Sequence, residues 1–303
     1  MTPSLSSPDA VVLGTNTMDA TAAFLQNLGF AEVDRTVLTA DASQALYGLT
    51  GEAEQRTFAV RDASGQALPG RIRVVRTDEE PLPYDAYRTG GHAIDVYCLD
   101  QEEGSRLAKE GGADVGETTV FKTPFFTLTG TFCIIPGGGP VVLLGAERRL
   151  PSVLDNDPSR IFSQVHSLIW VVPELGPSLE FFAAAGLPEV RRNVFDADPA
   201  VAGLMALPEP VPFSMALLAD EQSTPSRLEL LGFDSPDVPL TPDPGRPLRP
   251  GQLLLSFSVD SVDDTMALLA RHGASFGPAA TVGAARAVTA QAPGDIWLEL
   301  RSR

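Results

Sequence analysis

Apolar and polar positions alternate with a period of two in several short stretches, and each stretch is followed by a run with helical spacing. The clearest is Val165-His166-Ser167-Leu168-Ile169-Trp170-Val171-Val172, which reads as a half-buried strand with His166, Leu168 and Trp170 on one face. A helix is expected from about Pro177 to Ala185, with Gly186 as its stop. Further on, Arg227-Leu228-Glu229-Leu230-Leu231 is a second short strand with a carboxylate at its centre.

The same grammar of strand, helix and further strands occurs four times. The first segment, about 9–78, opens on Ala10-Val11-Val12-Leu13, has a helix from Met18 to Leu28 and closes on Arg71-Ile72-Arg73-Val74-Val75. The second, about 90–147, opens on Gly91-His92-Ala93-Ile94-Asp95-Val96-Tyr97, has a helix near Glu102 to Glu110, and ends in Val141-Val142-Leu143-Leu144 after a glycine turn at 137–139. The third, about 163–233, contains His166 and Glu229. The fourth, about 250–303, opens on Leu253-Leu254-Leu255-Ser256-Phe257, has its helix at Val262 to His272 and closes on Ile296-Trp297-Leu298-Glu299-Leu300. Leu107-Ala108-Lys109-Glu110-Gly111-Gly112-Ala113 and Leu269-Ala270-Arg271-His272-Gly273-Ala274 end their helices in the same way, with a glycine stop before an extended entry to the next strand. The Pro- and Asp-rich stretch from Asp234 to Pro250 reads as an exposed linker. Two domains are expected, 1–150 and 160–303.

Composition narrows the picture. A hydrophobic share of 44% with 20% charged residues is that of a globular chain. A formal charge of −17, with Lys109 and Lys122 the only lysines, argues against nucleic acid or an anionic membrane as partner. No apolar run approaches the ~20 residues that cross a bilayer. Residues 1–8 lack the basic start and apolar core of a signal peptide, so a cytoplasmic location is expected. Cys98 and Cys133 sit inside apolar strands and read as buried thiols. The Gly137–Gly139 run has no following helix or lysine and reads as a turn rather than a phosphate loop.

With these residues in view the chain resembles the vicinal oxygen chelate superfamily, which includes glyoxalase I, bleomycin-resistance proteins, methylmalonyl-CoA epimerase and extradiol dioxygenases. Besides the fourfold grammar, the resemblance rests on phrases such as Phe24-Leu25-Gln26-Asn27-Leu28-Gly29-Phe30 and on the glutamate-bearing closing strands. It implies an α+β fold in which four βαβββ modules form two cupped half-barrel sheets with helices outside. It also implies a divalent metal (Fe, Mn, Ni, Co or Zn) held by residues of first and last strands and completed by adjacent substrate oxygens. The first-strand positions hold Ala10, His92, His166 and Leu254; the last-strand positions hold Arg73, a residue among 142–144, Glu229 and Glu299. If the second and third modules share a cup, the ligands are His92, His166 and Glu229; if the third and fourth pair, Glu299 replaces His92. The first pairing is favoured, because a stranded histidine is harder to explain than a stranded glutamate.

Several of these residues also have plainer roles. His92 could be a satisfied structural histidine, Glu299 a solvated charge near the chain end, and His272 a helix-terminal cation. Arg73 could bind an acid group in an empty cup or sit exposed at an edge. Trp170, Trp297, Phe125, Phe126 and Phe213 could line an apolar pocket, with core packing the commoner use of such residues. The expected activity is a metal-dependent lyase, isomerase or epimerase acting on a small oxygenated substrate, with Glu229 as ligand and base. An Fe(II) ring-cleaving dioxygenase and a metal-free small-molecule binding protein are the alternatives. The expected partner is a small molecule, with the chain a monomer or homodimer.

Overall fold

The computed structural model describes residues 4–122, 127–157, 159–220, 226–242 and 248–303. The first module runs β1 (Ala10–Thr15), α1 (Met18–Asn27), β2 (Ala31–Leu38), α2 (Ala40–Tyr47), β3 (Ala53–Ala59) and β4 (Arg71–Arg76). The second runs β5 (Gly90–Cys98), α3 (Gln101–Glu110), β6 (Asp114–Lys122), β7 (Thr127–Ile134) and β8 (Pro140–Ala146). The third holds β9 (Phe162–Val171), α4 (Leu175–Ala184), β10 (Glu189–Phe195), α5 (Pro199–Leu204), β11 (Phe213–Leu218) and β12 (Arg227–Phe233). The fourth holds β13 (Leu253–Val259), α6 (Val262–Ala270), β14 (Ser275–Phe276), β15 (Ala280–Val282), β16 (Ala285–Ala292) and β17 (Ile296–Ser302). Helix starts are chemically marked: the Asp100 side chain accepts from the Glu103 amide at α3, and Ser261 accepts from the Asp264 amide at α6. Among the described residues no helix is long and apolar enough to cross a membrane.

Modules pair across the chain. One sheet has the order β10-β11-β12-β9-β5-β8-β7-β6, which joins the second module to the third. The other has the order β14-β16-β17-β13-β1-β4-β3-β2, which joins the first to the fourth. Each sheet is seamed at its centre by antiparallel first strands, β5 with β9 and β1 with β13. In every module the last strand lies parallel to the first.

The two curled sheets share a core on one face and keep a separate concave face each. Val11, Ile72, Ile94, Leu168, Trp170, Leu255 and Leu298 belong to the shared core, together with α1 and α4 residues such as Phe24 and Phe182. The concave face of the first-and-fourth sheet is filled. There α2 packs Leu46 and Tyr47 onto Val12, Val75, Leu254 and Ala287. The end of the 234–250 connector closes over it, with Leu248 only 2% exposed and its amide bonded to the Tyr47 carbonyl at 2.8 Å. The connector is therefore not exposed throughout, because Leu248 is a core residue of this cup.

Candidate functional site

The second-and-third sheet encloses a cavity of about 470 Å³, within the size range of small-molecule sites. Its apolar lining includes Val142, Ile169, Phe195, Leu204, Met205, Phe213 and Met215. Polar groups gather on the wall formed by β5, β9 and β12: Asp95, Tyr97, His166 and Glu229. Two of the three irregularities in the β5–β9 seam produce this arrangement. Asp95 pairs with Ser167 while Val96 pairs with Val165, so His166 is an extra residue at a bulge. A bulge turns two consecutive side chains to one side, and this overturns the simple alternation expected of this strand. His166 and Ser167 face the cup, whereas Leu168 and Trp170 face the shared core. The second irregularity, between Gly91 and Ala93, falls on His92.

The centre of the polar wall is a carboxyl pair, Asp95 buried and Glu229 half-buried. Ser167 donates to Asp95 Oδ2 at 3.0 Å and lies close enough to Glu229 to lower it, while Asp95 Oδ1 has no protein partner. Burial first, and then the Glu229 charge, push Asp95 well above the usual carboxylate range. Burial likewise raises Glu229, against the lowering effects of the Ser167 hydrogen bond and the Arg227 charge. A serine hydroxyl has one hydrogen, so it cannot donate to two carboxylates at once. Two such acids side by side disfavour ionisation of both at once.

Beside it, the His166 ring stacks on Tyr97 with centroids 4.0 Å apart, and its Nδ1 lies 3.5 Å from the Arg227 guanidinium. Burial and the Arg227 charge depress His166 to a pKa of about 3, so its imidazole is neutral at physiological pH. Arg227 is itself 2% exposed, a buried cation next to the acid pair.

The other expected site residues are placed differently. His92 does not line the cavity. Its Nε2 faces the Met205 carbonyl at 3.0 Å, its ring lies near Tyr84 and Phe132, and burial lowers its pKa to about 4. Glu299 lies on the other sheet and cannot join His166 and Glu229. Nor is it a solvated charge: it is fully buried, ion-paired with Arg73, and accepts from Tyr47 Oη at 2.5 Å and Ser256 Oγ at 2.9 Å. Burial pushes its carboxyl up, but Arg73, Arg301 and these hydrogen bonds hold it below the usual range. Arg73 is likewise buried rather than exposed at an edge. Phe213 lines the cavity, Trp170 is core, and Phe125 and Phe126 lie outside the described residues. Cys98 and Cys133 are free buried thiols, which burial pushes up to about 12.

Two functional residues were not singled out from sequence. Asp95 is a charge in the middle of an otherwise apolar strand, Ala93-Ile94-Asp95-Val96, and that contrast is its signal. Arg227 stands two residues before Glu229 and therefore on the same face of β12.

No family model matches the sequence, and no curated protein matches it. Solved structures do. A single-substitution variant of maize glyoxalase I superposes with a TM-score of 0.65 at 12% identity, covering 98% of this chain and 92% of that one. A proposed dioxygenase from Bacillus subtilis superposes with a TM-score of 0.65 at 10% identity, covering 99% and 86%. The chain has the vicinal oxygen chelate fold.

That fold raises the question of whether the cup suits a divalent ion. Such an ion takes three or four protein donors at about 2.0–2.3 Å. Among the described residues, no three His, Cys, Asp or Glu side chains come together in that way. His92 is turned to a backbone carbonyl, and His166 has a guanidinium at the nitrogen where a cation would be repelled. His166, Glu229 and Asp95 share a wall of this vicinal oxygen chelate cup, but they do not fit a three-ligand metal centre.

Proposed function

We propose that this chain is an isomerase- or lyase-type enzyme that moves a proton on a small oxygenated substrate, with Asp95 and Glu229 as its acid–base pair. The observation that carries the reading is the carboxyl pair of buried Asp95 and half-buried Glu229, beside Ser167, on the wall of a substrate-sized cavity. Raised carboxyls in a cleft suit general acid–base chemistry near neutral pH. The ionised member removes a proton from the carbon beside a carbonyl, and the protonated member donates to the oxygen. Arg227 supplies fixed positive charge for the oxyanion that develops. Neutral His166, stacked on Tyr97, orders that end of the site.

For the metal-dependent form of this chemistry, expected from the family resemblance, no three donors converge among the described residues. An Fe(II) dioxygenase requires His92 and His166 at one ion, and His92 is held elsewhere. A binding protein without catalysis is the second reading, and the apolar lining of Phe195, Phe213, Met205 and Met215 favours it. Deuterium exchange separates the two. Purified protein is incubated in D₂O with a panel of small 2-oxo acids, ketones and hydroxy ketones, and α-carbon labelling is followed by NMR. Labelling above the buffer rate that is lost in Asp95→Asn and in Glu229→Gln supports the enzyme. Ligand-induced shifts without labelling leave the binder. Stoichiometric metal in the purified protein, lost on His166→Ala, restores the metal mechanism.

A further inference from the structure

Strand register orders the cavity lining by depth. Arg191, Leu217, Glu229 and Ile169 form one row across β10, β11, β12 and β9. Asn193 and Met215 lie in the next row, and Phe195 and Phe213 in the row beyond. Two such steps place the phenylalanines roughly 13 Å from the Glu229 row. In the opposite direction lie Tyr97 and Arg227, each two residues from a member of the acid pair. There the Leu150 amide donates to Tyr97 Oη at 3.2 Å, which lays the 148–150 segment over that end. Arg148 and Arg191 both line the cavity and are both exposed, so this end is the mouth.

Arg148 and Arg191 make no ion pair among the described residues; Arg191 donates to the Asn193 side-chain oxygen at 3.0 Å, and its charge also reaches Glu229 along the same row. Surface arginines elsewhere include ion-paired ones, such as Arg106 and Arg286, and ones bonded to backbone, such as Arg61 and Arg88; what sets Arg148 and Arg191 apart is their shared place on the cavity wall. In a chain of formal charge −17, two exposed arginines at one cavity mouth form a local concentration of positive charge. Guanidinium groups bind carboxylates through charge-assisted, often paired, hydrogen bonds.

We propose that the cavity takes small organic acids, with the carboxylate at Arg148 and Arg191 and an apolar or aromatic body extending towards Phe195 and Phe213. This extends the acid–base reading of the same cavity, since it would set the substrate carbons beside Asp95 and Glu229. A cationic ligand is excluded from the mouth by the same arginines.

Calorimetric titration with three probes of one shape tests this: 4-phenylbutyrate, 4-phenylbutanamide and 4-phenylbutylamine, at low ionic strength. The acid should bind about tenfold tighter than the amide, with the amine weakest. Arg148→Gln combined with Arg191→Gln should abolish the acid–amide gap and leave amide affinity unchanged, which also shows that the cavity remains folded. Equal binding of acid and amide by the wild type overturns the proposal. So does preference for the amine, a gap that survives in the double variant, or no binding of any probe at millimolar concentration. If acid preference holds while deuterium exchange fails, only the catalytic reading falls; exchange without acid preference removes only this one.

Discussion

His92 offers a quantitative handle on how α5 is fastened over the cavity. Its Nε2 faces the Met205 carbonyl at 3.0 Å, immediately after α5, and Leu204 and Met205 line the cavity. Burial depresses the imidazole to a pKa of about 4, against about 6.5 in an unfolded chain. Below the unfolded value, the unfolded chain takes up a proton that the native state refuses. Stability therefore falls as pH drops from about 6.5 towards about 4, and levels off below that. Linkage over this window gives a loss of about 2 kcal/mol between about pH 7 and about pH 4.5 from this one group. The raised carboxyls Asp95 and Glu229 act in the opposite sense, and His166 in the same sense, so the wild-type curve alone does not isolate His92. The comparison is with His92→Gln, which keeps an N–H near the Nε2 position and does not titrate. Urea unfolding of both proteins across the window should show the wild type losing about 2 kcal/mol more than the variant on acidification, because the other groups cancel in the difference. Parallel stability curves would refute the buried, neutral assignment of His92.

Other perturbations have defined directions. Asp95→Asn removes a buried carboxyl whose ionisation burial and the Glu229 charge both oppose, so the variant should melt above the wild type at neutral pH in scanning calorimetry while losing proton exchange. Glu299→Gln leaves Arg73 a buried, unpaired cation and should cost about 3–5 kcal/mol in urea unfolding. Combining it with Arg73→Met should recover much of that loss, and a strictly additive double variant would contradict the pairing. Ala206 follows α5 with φ +49°, a backbone region that suits glycine, so Ala206→Gly should be neutral or stabilise by up to about 1 kcal/mol in the same assay. A clear destabilisation would remove the strain argument.

The fold was legible because its signals are local and repeated. Alternation at Ala10–Leu13, Gly91–Tyr97, Val165–Val172 and Leu253–Phe257 marks the four first strands, and the four helices that follow them begin within about two residues of their expected starts. The two short helices α2 and α5 escaped notice for a physical reason. With eight and six residues, they are too short to show helical periodicity, and both are held by the cups they cover. The site was half legible. His166 and Glu229 share the cavity, but by a bulge that period-two reading cannot see, because pairing partners determine where an extra residue falls. His92, assigned by its place on a first strand, lies at another seam irregularity and is spent on the backbone of α5. Pairing of the second and third modules, favoured from histidine placement, is the pairing in the structure.

The two sheets repeat one plan, and their concave faces differ by a few side chains. In one, Arg73 on a last strand meets Glu299 on the opposing last strand, with Ser256 and Tyr47 completing the hydrogen bonds. The charges neutralise each other and α2 packs over them, so that cup is closed by an ion pair, its hydrogen bonds and apolar burial. In the other, the strand opposite Glu229's module presents Asp95, an acid facing an acid, and the only buried guanidinium described near them lies to one side against His166. An arrangement that leaves a carboxylate oxygen buried without a partner is costly for folding. Its persistence beside an open cavity, in a chain whose sister cup neutralises its buried acid with an ion pair, is the physical reason to place the chemistry at Asp95 and Glu229.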